Sequence, residues 1–270
     1  MTARLFLHIV SLETRKLMAY RVGFWLQAVG AAVAQLLVAY YLWQAVFDSA
    51  GSATIGGYSR QEMILYYVLV ILLGRIVRGQ ERESTLARDV YEGSLSRYLV
   101  YPADYLAFKY AEHLGNLAPQ AIQLLVLGCA VFPFLELPAA VGIGLASVAM
   151  CAAAVLAANL LNFLLSYPVE GVAFWAENVW SLNVMVRLAS SLLGGQVLPL
   201  ALFPDWAQSA LAWSPFPWLF DFPVNVLLGR VPPHEWALGM AACLLWSAVL
   251  NALGRAVWRR GSLVYSGVGM

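Results

Sequence analysis

Polar residues that could do chemistry are few in this sequence, and each interrupts or borders a long apolar stretch. Asn159 and Asn162 are three residues apart, so they share one face if their stretch is a helix. Their amides suit hydrogen bonds between helices, which we favour, or contact with a substrate. Glu170, Glu177 and Arg187 follow in the chain, either as solvated charges or as an ion pair at a gate.

Motifs for catalysis and cofactor binding are missing from the sequence. It contains no GxxxxGKS/T loop for phosphates, no GxGxxG and no HExxH pair. The histidines His8, His113 and His234 are far apart, and none falls in the middle of an apolar stretch. This argues against a metal site and against an intramembrane serine protease, which needs a histidine at membrane depth. We therefore expect no cofactor, no metal and no catalytic residue on this chain.

The composition indicates the class of protein to which this sequence belongs. The 270 residues are 61% hydrophobic and only 11% charged, and the mean hydropathy is +0.72. A soluble domain has about 25% charged residues, and a disordered chain needs low hydrophobicity. The sequence therefore predicts an all-α integral membrane protein. With a net charge of +1, it has no overall field to attract nucleic acid.

Charge-free stretches predict six membrane-spanning helices, since a helix needs about 20 apolar residues to cross. The second is short and must extend into charged flanks, where Arg75 and Arg78 either line a vestibule or reach lipid phosphates. No charged residue falls within the predicted span cores, which counts against a secondary transporter. The predicted spans are 22–47, 59–77, 114–135, the stretch between Glu136 and Glu170, 188–204 and 236–254.

Basic residues are distributed very unevenly between the two sides of this arrangement. With a cytoplasmic N-terminus, 13 of the 16 basic residues fall in cytoplasmic segments, and only Arg60 and Arg230 fall outside. Positive charge is characteristic of the cytoplasmic loops of membrane proteins. Both termini are therefore predicted to be cytoplasmic, with Arg187 opening the fifth span from that side.

Residues 1–20 are predicted to form an amphipathic helix that lies in the membrane interface. Arg4, His8 and Arg15 recur at helical spacing on one stripe, Lys16 adds a further positive charge, and apolar residues fill much of the other side. Such a helix places its basic face toward anionic head groups. It either anchors the chain ahead of the first span or also contacts a cytoplasmic partner.

The loop over residues 78–104 is predicted to be the largest cytoplasmic feature. A stop and turn separate two short helices, of which the second can be capped by Ser94 and is ended by Pro102. Leu95 and Leu99 on this second helix are four residues apart and therefore share one face. An apolar pair on a short tethered helix indicates either ordinary loop packing or a surface that docks a partner.

Residues 196–235, called the outer segment below, are too apolar for a solvated loop and too rich in proline for a span. Seven prolines cut the segment into pieces, of which 205–213 and 222–228 can form short helices. Broken helices at membrane depth persist only when they pack against protein. The outer segment is therefore predicted to dip into the outer leaflet and return, which caps the bundle from outside.

Three pieces of the sequence together resemble the permease subunit of a type-2 ATP-binding-cassette exporter, the group that includes drug-export permeases of the daunorubicin kind. The first is the YRxxFW motif at 20–25, which follows the N-terminal helix. The second is VYEGSLSRYLVYP at 90–102, similar to the family's G-x-L-x-x-x-L-x-x-P segment. The third and most specific is the spacing of prolines, aromatics and a glycine over 198–229, which is like the family's outer re-entrant hairpin.

This resemblance implies the partners and the mechanism. A second permease subunit, identical or related, and two separate ATPase subunits complete such an exporter, and ATP and Mg²⁺ bind to the ATPases. ATP closes the ATPase dimer, and the coupling helices then move the two permease halves so that a path opens outward. The implied location is the bacterial plasma membrane. The apolar, aromatic path indicates an amphipathic or lipid-like substrate.

The resemblance also assigns roles to residues. The coupling helix and its flanks, which would sit in a groove of the ATPase, are Gly93, Ser94, Leu95, Arg97, Tyr98, Leu99 and Pro102. The outer gate would consist of Pro199, Pro204, Trp206, Pro215, Pro223 and Gly229. Candidates for the substrate path or an inner gate are Asn159, Asn162, Glu177 and Arg187. Two alternatives stay open, namely a membrane component of an assembly or motility machine with the same ATPase-coupled architecture, and a secondary transporter.

Overall fold

The computed structural model describes residues 3–19, 21–79, 85–101, 103–134 and 144–267, and nearly all of them are helical. This part of the chain confirms the all-α class, with one small antiparallel hairpin as an addition. Its elements are α1 (Ala3–Ala19), α2 (Arg21–Ala50), β1 (Thr54–Ile55), β2 (Tyr58–Ser59), α3 (Arg60–Arg78), α4 (Thr85–Tyr91), α5 (Leu95–Val100), α6 (Tyr105–Leu114), α7 (Leu117–Val131), α8 (Leu145–Glu170), α9 (Trp180–Leu193), α10 (Asp205–Leu211), α11 (Asp221–Leu227) and α12 (Pro233–Val264).

The helix α3 lies at the centre of the bundle, and 13 of its 19 residues are buried. It begins where the sequence predicts the second span, because Ser59 and Glu62 form a capping box in which each side chain accepts a hydrogen bond from the other residue's backbone N–H. A helix that is apolar all round packs on several neighbours, and α3 contacts α2, α7, α8 and α11. The predicted second span is therefore a helix of the core.

Four segments in the described part of the chain are long and apolar enough to cross a membrane. α8 and α12 pack along each other, and α12, with 32 residues, is longer than a bilayer core requires. These segments correspond to the first, third, fourth and sixth predicted spans. They are Val29–Ala50, Tyr105–Val131, Leu145–Phe174 and Pro233–Val264.

The third of the predicted spans begins earlier than the sequence analysis expects. The prediction places it at 114–135, but the apolar helical segment starts at Tyr105. It consists of α6 and α7 with a short break at Gly115. Lys109 and His113 therefore lie inside this segment but before residues 114–135, the stretch that the sequence predicts to be free of charge. These groups are tolerated because polar side chains of neighbouring elements surround them, as described below.

The predicted fifth span, 188–204, is wrong as a continuous helix. α9 begins earlier, at Trp180, and ends at Leu193. Gly195 then adopts a φ of +88°, a conformation that ends the helix and that glycine reaches without steric cost. With 14 residues, α9 is about 21 Å long, which is less than the hydrocarbon thickness of a bilayer.

Asp221, at the start of α11, fastens the outer segment to α3. The Tyr66 hydroxyl lies 2.9 Å from Asp221 Oδ1 and 2.6 Å from the carbonyl oxygen of Gly195. The Asn225 side-chain amide donates a hydrogen bond to Asp221 Oδ2 at 2.9 Å. The two short helices that the sequence predicts in this segment, α10 and α11, are both present. The part of the segment around α11 is therefore packed, whereas most of α10 is exposed.

Tyr58 extends this network to the hairpin of β1 and β2. Burial, followed by the nearby charge of Asp221, raises the pKa of Tyr58 to about 12. The hydroxyl therefore stays protonated at neutral pH and donates to Asn225 Oδ1 at 2.9 Å. Arg230 lies 3.7 Å from the centre of the Tyr58 ring and donates to Glu62 Oε1 at 2.9 Å. The hairpin and α11 are thus joined to the first turn of α3.

The residues predicted to form an outer gate divide into two groups. The buried group consists of Pro199, Pro215 and Pro223, and the exposed group consists of Pro204, Trp206 and Gly229. Trp206 is 76% exposed because α10 buries only Ala207, which lies on its other side. Trp206 therefore packs little against the rest of this chain. An exposed indole suits the interface between lipid and water.

The helix α1 confirms the predicted N-terminal helix, and its basic residues lie on the surface. The exposed residues of the predicted basic side are Arg4, His8, Arg15 and Lys16. On the opposite side, Ile9 and Glu13 are buried, and the Thr14 hydroxyl donates to the carbonyl oxygen of Gly115 at 2.7 Å. α1 therefore docks over the break between α6 and α7.

Candidate coupling helix and internal cavity

The helix α5 and the residue after it present an apolar surface at one end of the bundle. Leu99, Val100 and Tyr101 are 49%, 83% and 51% exposed, and Arg97 beside them is exposed as well. Leu95 is fully buried because it belongs to the main hydrophobic core of the chain. The expectation that Leu95 and Leu99 form one exposed face is therefore wrong for Leu95. The exposed face begins at Leu99 and continues toward the end of the helix.

The connection from α4 to α5 is also made differently from the prediction. Gly93 forms the expected turn, with a φ of +69°. Ser94 occupies the cap position of α5 but does not cap it, because its hydroxyl donates instead to Asp89 Oδ1 at 2.8 Å. A bond to the preceding helix thus replaces the predicted cap. Pro102, which is predicted to end α5, lies outside the described residues.

Asp89 is the centre of a polar cluster that joins α4, α5 and α6. The Lys109 ammonium lies 2.9 Å from Asp89 Oδ2 and 3.1 Å from Glu112 Oε2. The Tyr105 hydroxyl donates to Asp89 Oδ2 at 2.7 Å. Only 7% of the Lys109 side chain is exposed. A buried ammonium group is stable in such a place when it is paired and hydrogen-bonded, as it is here.

Aromatic rings connect the same cluster to the last helix. The Lys109 ammonium donates to the Tyr98 hydroxyl at 3.0 Å and lies 4.2 Å from the centre of the Tyr98 ring. Tyr105 stacks on Trp258 of α12, with the ring centres 4.7 Å apart. The Ser96 and Tyr265 hydroxyls are 3.2 Å apart. α5 is therefore joined by side-chain contacts to α4, to α6 and to the end of α12.

A cavity of about 380 Å³, called the polar cavity below, lies beside this cluster between α3, α6, α8 and α9. Lys109 and Glu112 line it from α6, Asn162 from α8 and Arg187 from α9. Two of the residues that the sequence analysis proposes for a path or gate, Asn162 and Arg187, are thus brought together. Glu177 is exposed and is not among the described residues that line the cavity.

Asn159 confirms the interpretation of an interhelical hydrogen bond. It is fully buried on α8, and its amide donates to the carbonyl oxygen of Ile76 in α3 at 2.8 Å. The same nitrogen lies 2.8 Å from His113 Nε2. Asn159 therefore joins α3, α6 and α8, whereas Asn162 faces the polar cavity. Within the described residues, no group of three or more His, Cys, Asp and Glu side chains could hold a metal ion.

A second and larger space, the groove, has a volume of about 1150 Å³ and lies between α2, α3, α7 and α9. Its wall includes Arg75, which is half-buried on α3. Arg78 and Arg187 line both the groove and the polar cavity. The two arginines of α3 thus both line the groove, and Arg78 lines the polar cavity as well.

Comparison with known families decides the identity of this arrangement. A family model described as "ABC-2 family transporter protein" matches residues 32–269. The chain belongs to the ABC-2 transporter family. It is thus a membrane component of an ABC transporter, and its family implies partnership with an ABC ATPase subunit. A search of the curated proteins and a search of the solved structures found no match.

In this ABC-2 transporter protein, sequence reasoning missed the role of Lys109. From its position before the predicted third span, Lys109 counts with the cytoplasmic charges. A usable signal was present in the spacing, since Lys109 and Glu112 are three residues apart on a helix and can pair. The role of Asp89 left no such signal, because its contact with α6 depends on how the loop folds back.

Proposed function

We propose that this chain is the permease subunit of an ATP-driven exporter and that α5 is the helix that docks on a separate ATPase subunit. The observation that carries this proposal is the exposed apolar face of Leu99, Val100 and Tyr101 on a short helix that is anchored to the bundle. Exposed contiguous apolar patches on proteins commonly mark interaction sites. Two ATPases, which bind the ATP and Mg²⁺, and a second permease subunit complete the proposed complex.

Six spans with both termini in the cytoplasm remain the proposed topology. α3 supplies the second span, since it is about 29 Å long and the bundle surrounds it. α9 supplies the inner part of the fifth span, and the packed part of the outer segment around α11 closes the remainder from outside. This arrangement places α5, the polar cavity and most basic residues on the cytoplasmic side of the bacterial plasma membrane.

The proposed second permease subunit covers α2. Only 11% of the most apolar stretch of this helix, which lies within Val29–Ala50, is buried inside the chain. Val33, Leu37, Tyr40 and Tyr41 are among its exposed large residues, with exposed fractions between 45% and 65%. Helices in membranes associate through close packing of such faces. The two copies then move relative to each other during transport.

The contacts of Asp89 supply the proposed route from ATPase to substrate. A displacement of α5 acts on Asp89 through Ser94, and Asp89 is bonded to Lys109 of α6. Lys109 also lines the polar cavity. Closure of the ATPase dimer therefore shifts a residue of the cavity wall directly, which is how a docking movement changes the access of an amphipathic substrate. The outer segment acts as the exit gate in this scheme.

The substitution Leu99→Asp tests this assignment. We expect binding of the cognate ATPase subunit to weaken by about tenfold or more, since an apolar side chain is lost and a charge enters the interface. Leu99→Met is the matched control, because it keeps the apolar volume. Binding is measured by titrating the detergent-solubilised permease with ATPase, and the melting temperature shows whether the fold is intact. Normal binding and transport by Leu99→Asp would show that α5 is not the coupling helix.

A further inference from the structure

The groove and the polar cavity lie next to each other and differ in character. Arg78 and Arg187 belong to the walls of both spaces, and Arg75 belongs to the groove alone. Among the described residues that line the groove there is no aspartate or glutamate. The groove therefore combines three guanidinium groups with an otherwise apolar or uncharged wall, to which Val38, Leu42 and Leu188 contribute.

The guanidinium group of Arg78 is held in a fixed orientation. Its Nε donates to Gln196 Oε1 at 3.0 Å, and Ser191 accepts a further hydrogen bond from it. Its carbon centre lies 5.2 Å from the middle of the Phe220 ring. Guanidinium groups positioned in this way suit phosphate and carboxylate, because their planar donors match those anions.

The polar cavity offers acceptors as well as donors. Asn116 is only 3% exposed and lines this cavity, and its Oδ1 has no hydrogen-bond partner. This oxygen is itself closed off from the cavity, so a ligand's hydroxyl or ammonium group would meet acceptors of other side chains. Glu112 and Asn162 in the same wall supply these acceptors.

We propose that the two spaces bind one anionic amphiphile. Its phosphate or carboxylate lies at Arg78 and Arg187, its donor-bearing head group enters the polar cavity, and its apolar chain lies in the groove. The volumes of about 380 and 1150 Å³ match such a division into a small head and a long tail. This inference rests on the proposed export function, because it names the substrate class of that same site.

Lipid competition on the full-length permease tests this inference. The protein is placed in nanodiscs of phosphatidylcholine and titrated with fluorescent phosphatidylglycerol or with fluorescent phosphatidylcholine of the same chains. We expect the wild type to prefer the anionic lipid by about tenfold or more. Arg187→Gln and Arg75→Gln lose most of this preference. Arg259→Gln removes an exposed charge of α12 and leaves it unchanged.

Equal binding of both lipids by the wild type, or equal losses in Arg187→Gln and Arg259→Gln, would overturn the inference. A further arm adds soluble glycerol phosphate, which we expect not to displace the lipid at the same concentration. Full displacement would contradict the requirement for an apolar chain. The assay contains no ATPase. If the chain prefers the anionic lipid but binds no ATPase, only the export proposal is overturned. If the chain binds and stimulates the ATPase but does not prefer the anionic lipid, only this inference is overturned.

Discussion

Leu95 and Leu99 are the same residue type on one short helix, yet their surroundings differ. Leu95 is fully buried, whereas Leu99 is 49% exposed. We expect Leu95→Ala to destabilise the chain by about 2–5 kcal/mol, because it leaves a cavity in the core. Leu99→Ala is expected to cost less than about 0.5 kcal/mol in the isolated permease. Melting temperatures in detergent measure the difference, and equal values for the two variants would contradict the observed packing.

The pairing of Lys109 with Asp89 provides a second prediction for single residues. Lys109→Met leaves the buried Asp89 carboxylate and the partly buried Glu112 carboxylate without their cation, so it is expected to cost about 3–5 kcal/mol. The double variant with Asp89→Asn should cost less than the sum of the single variants, since it removes both charges of the pair. Unfolding in detergent measures all three.

The matched control for this cycle is Arg88→Met. Arg88 and Glu92 form an ion pair in which both side chains are more than half exposed. Exposed pairs of this kind contribute about 0–1 kcal/mol. A loss in Arg88→Met as large as that in Lys109→Met would indicate that burial does not distinguish the two pairs.

Residue types and spacing predict which side chains share a face, but not what covers that face. The interval of four residues correctly places Leu95 and Leu99 on one side of α5. This interval does not indicate where the hydrophobic core ends. The boundary of the core lies between Leu95 and Leu99. In the same way, Asn159 and Asn162 share a face of α8, yet one bonds to α3 and the other lines the polar cavity.

At the scale of elements, the contact between α1 and Gly115 is unusually close. A Cβ atom at Gly115 would lie 2.5 Å from the Glu13 Cβ and 2.9 Å from the carbonyl oxygen of Val10. Gly115→Ala should therefore push α1 away from α7, at a cost of about 1–3 kcal/mol. A cysteine at Ile9, which is 7% exposed in the native chain, then reacts faster with a maleimide.

Gly128→Ala on α7 is the matched control for this close approach. A Cβ there would meet only Phe132 side-chain atoms, at 3.8 Å or more, which is ordinary contact. We expect the Ile9 cysteine to react at the wild-type rate in this variant. Unchanged reactivity in Gly115→Ala would show that α1 does not depend on this contact.

Helices with strong local signals are predictable from the sequence, and those without them are not. The capping box of Ser59 and Glu62 fixes the start of α3 correctly. The predicted bounds of the fifth span are wrong because the apolar residues after Gly195 raise the mean hydropathy of that stretch. Glycine and proline nevertheless prevent a helix there. The early start of the third span is missed because Lys109 is satisfied by a tertiary contact that no local pattern reveals.

At the scale of the whole molecule, many of the polar groups concentrate in two regions of the bundle. One region contains Asp221 and Tyr58 at the outer segment, and the other contains Asp89, Lys109 and the polar cavity. The long helices between these regions are apolar. Hydropathy and charge asymmetry predict this division, since both follow from the cost of placing charge in lipid. They do not predict the groove, which depends on the gap between α2 and α9.

The orientation of these two regions in the membrane is the last prediction. With both termini in the cytoplasm, cysteines introduced at Ser52 and Gln208 should react with a membrane-impermeant maleimide in intact cells. Cysteines at Ser96 and Ser266 should react only after permeabilisation, and all four positions are exposed in the fold. The background lacks Cys129, Cys151 and Cys243, of which the last two are buried.

The unsubstituted cysteine-free chain serves as the control for background labelling in this experiment. Labelling of Ser96→Cys in intact cells would reverse the orientation, and α5 could then meet no cytoplasmic ATPase. Labelling of Ser266→Cys but not of Ser96→Cys in intact cells would instead require an odd number of crossings between α5 and the C-terminus. The proposed six-span topology has an even number of crossings there. The contact between Ser96 of α5 and Tyr265 at the end of α12 requires the same, because the two residues must lie on one side of the membrane.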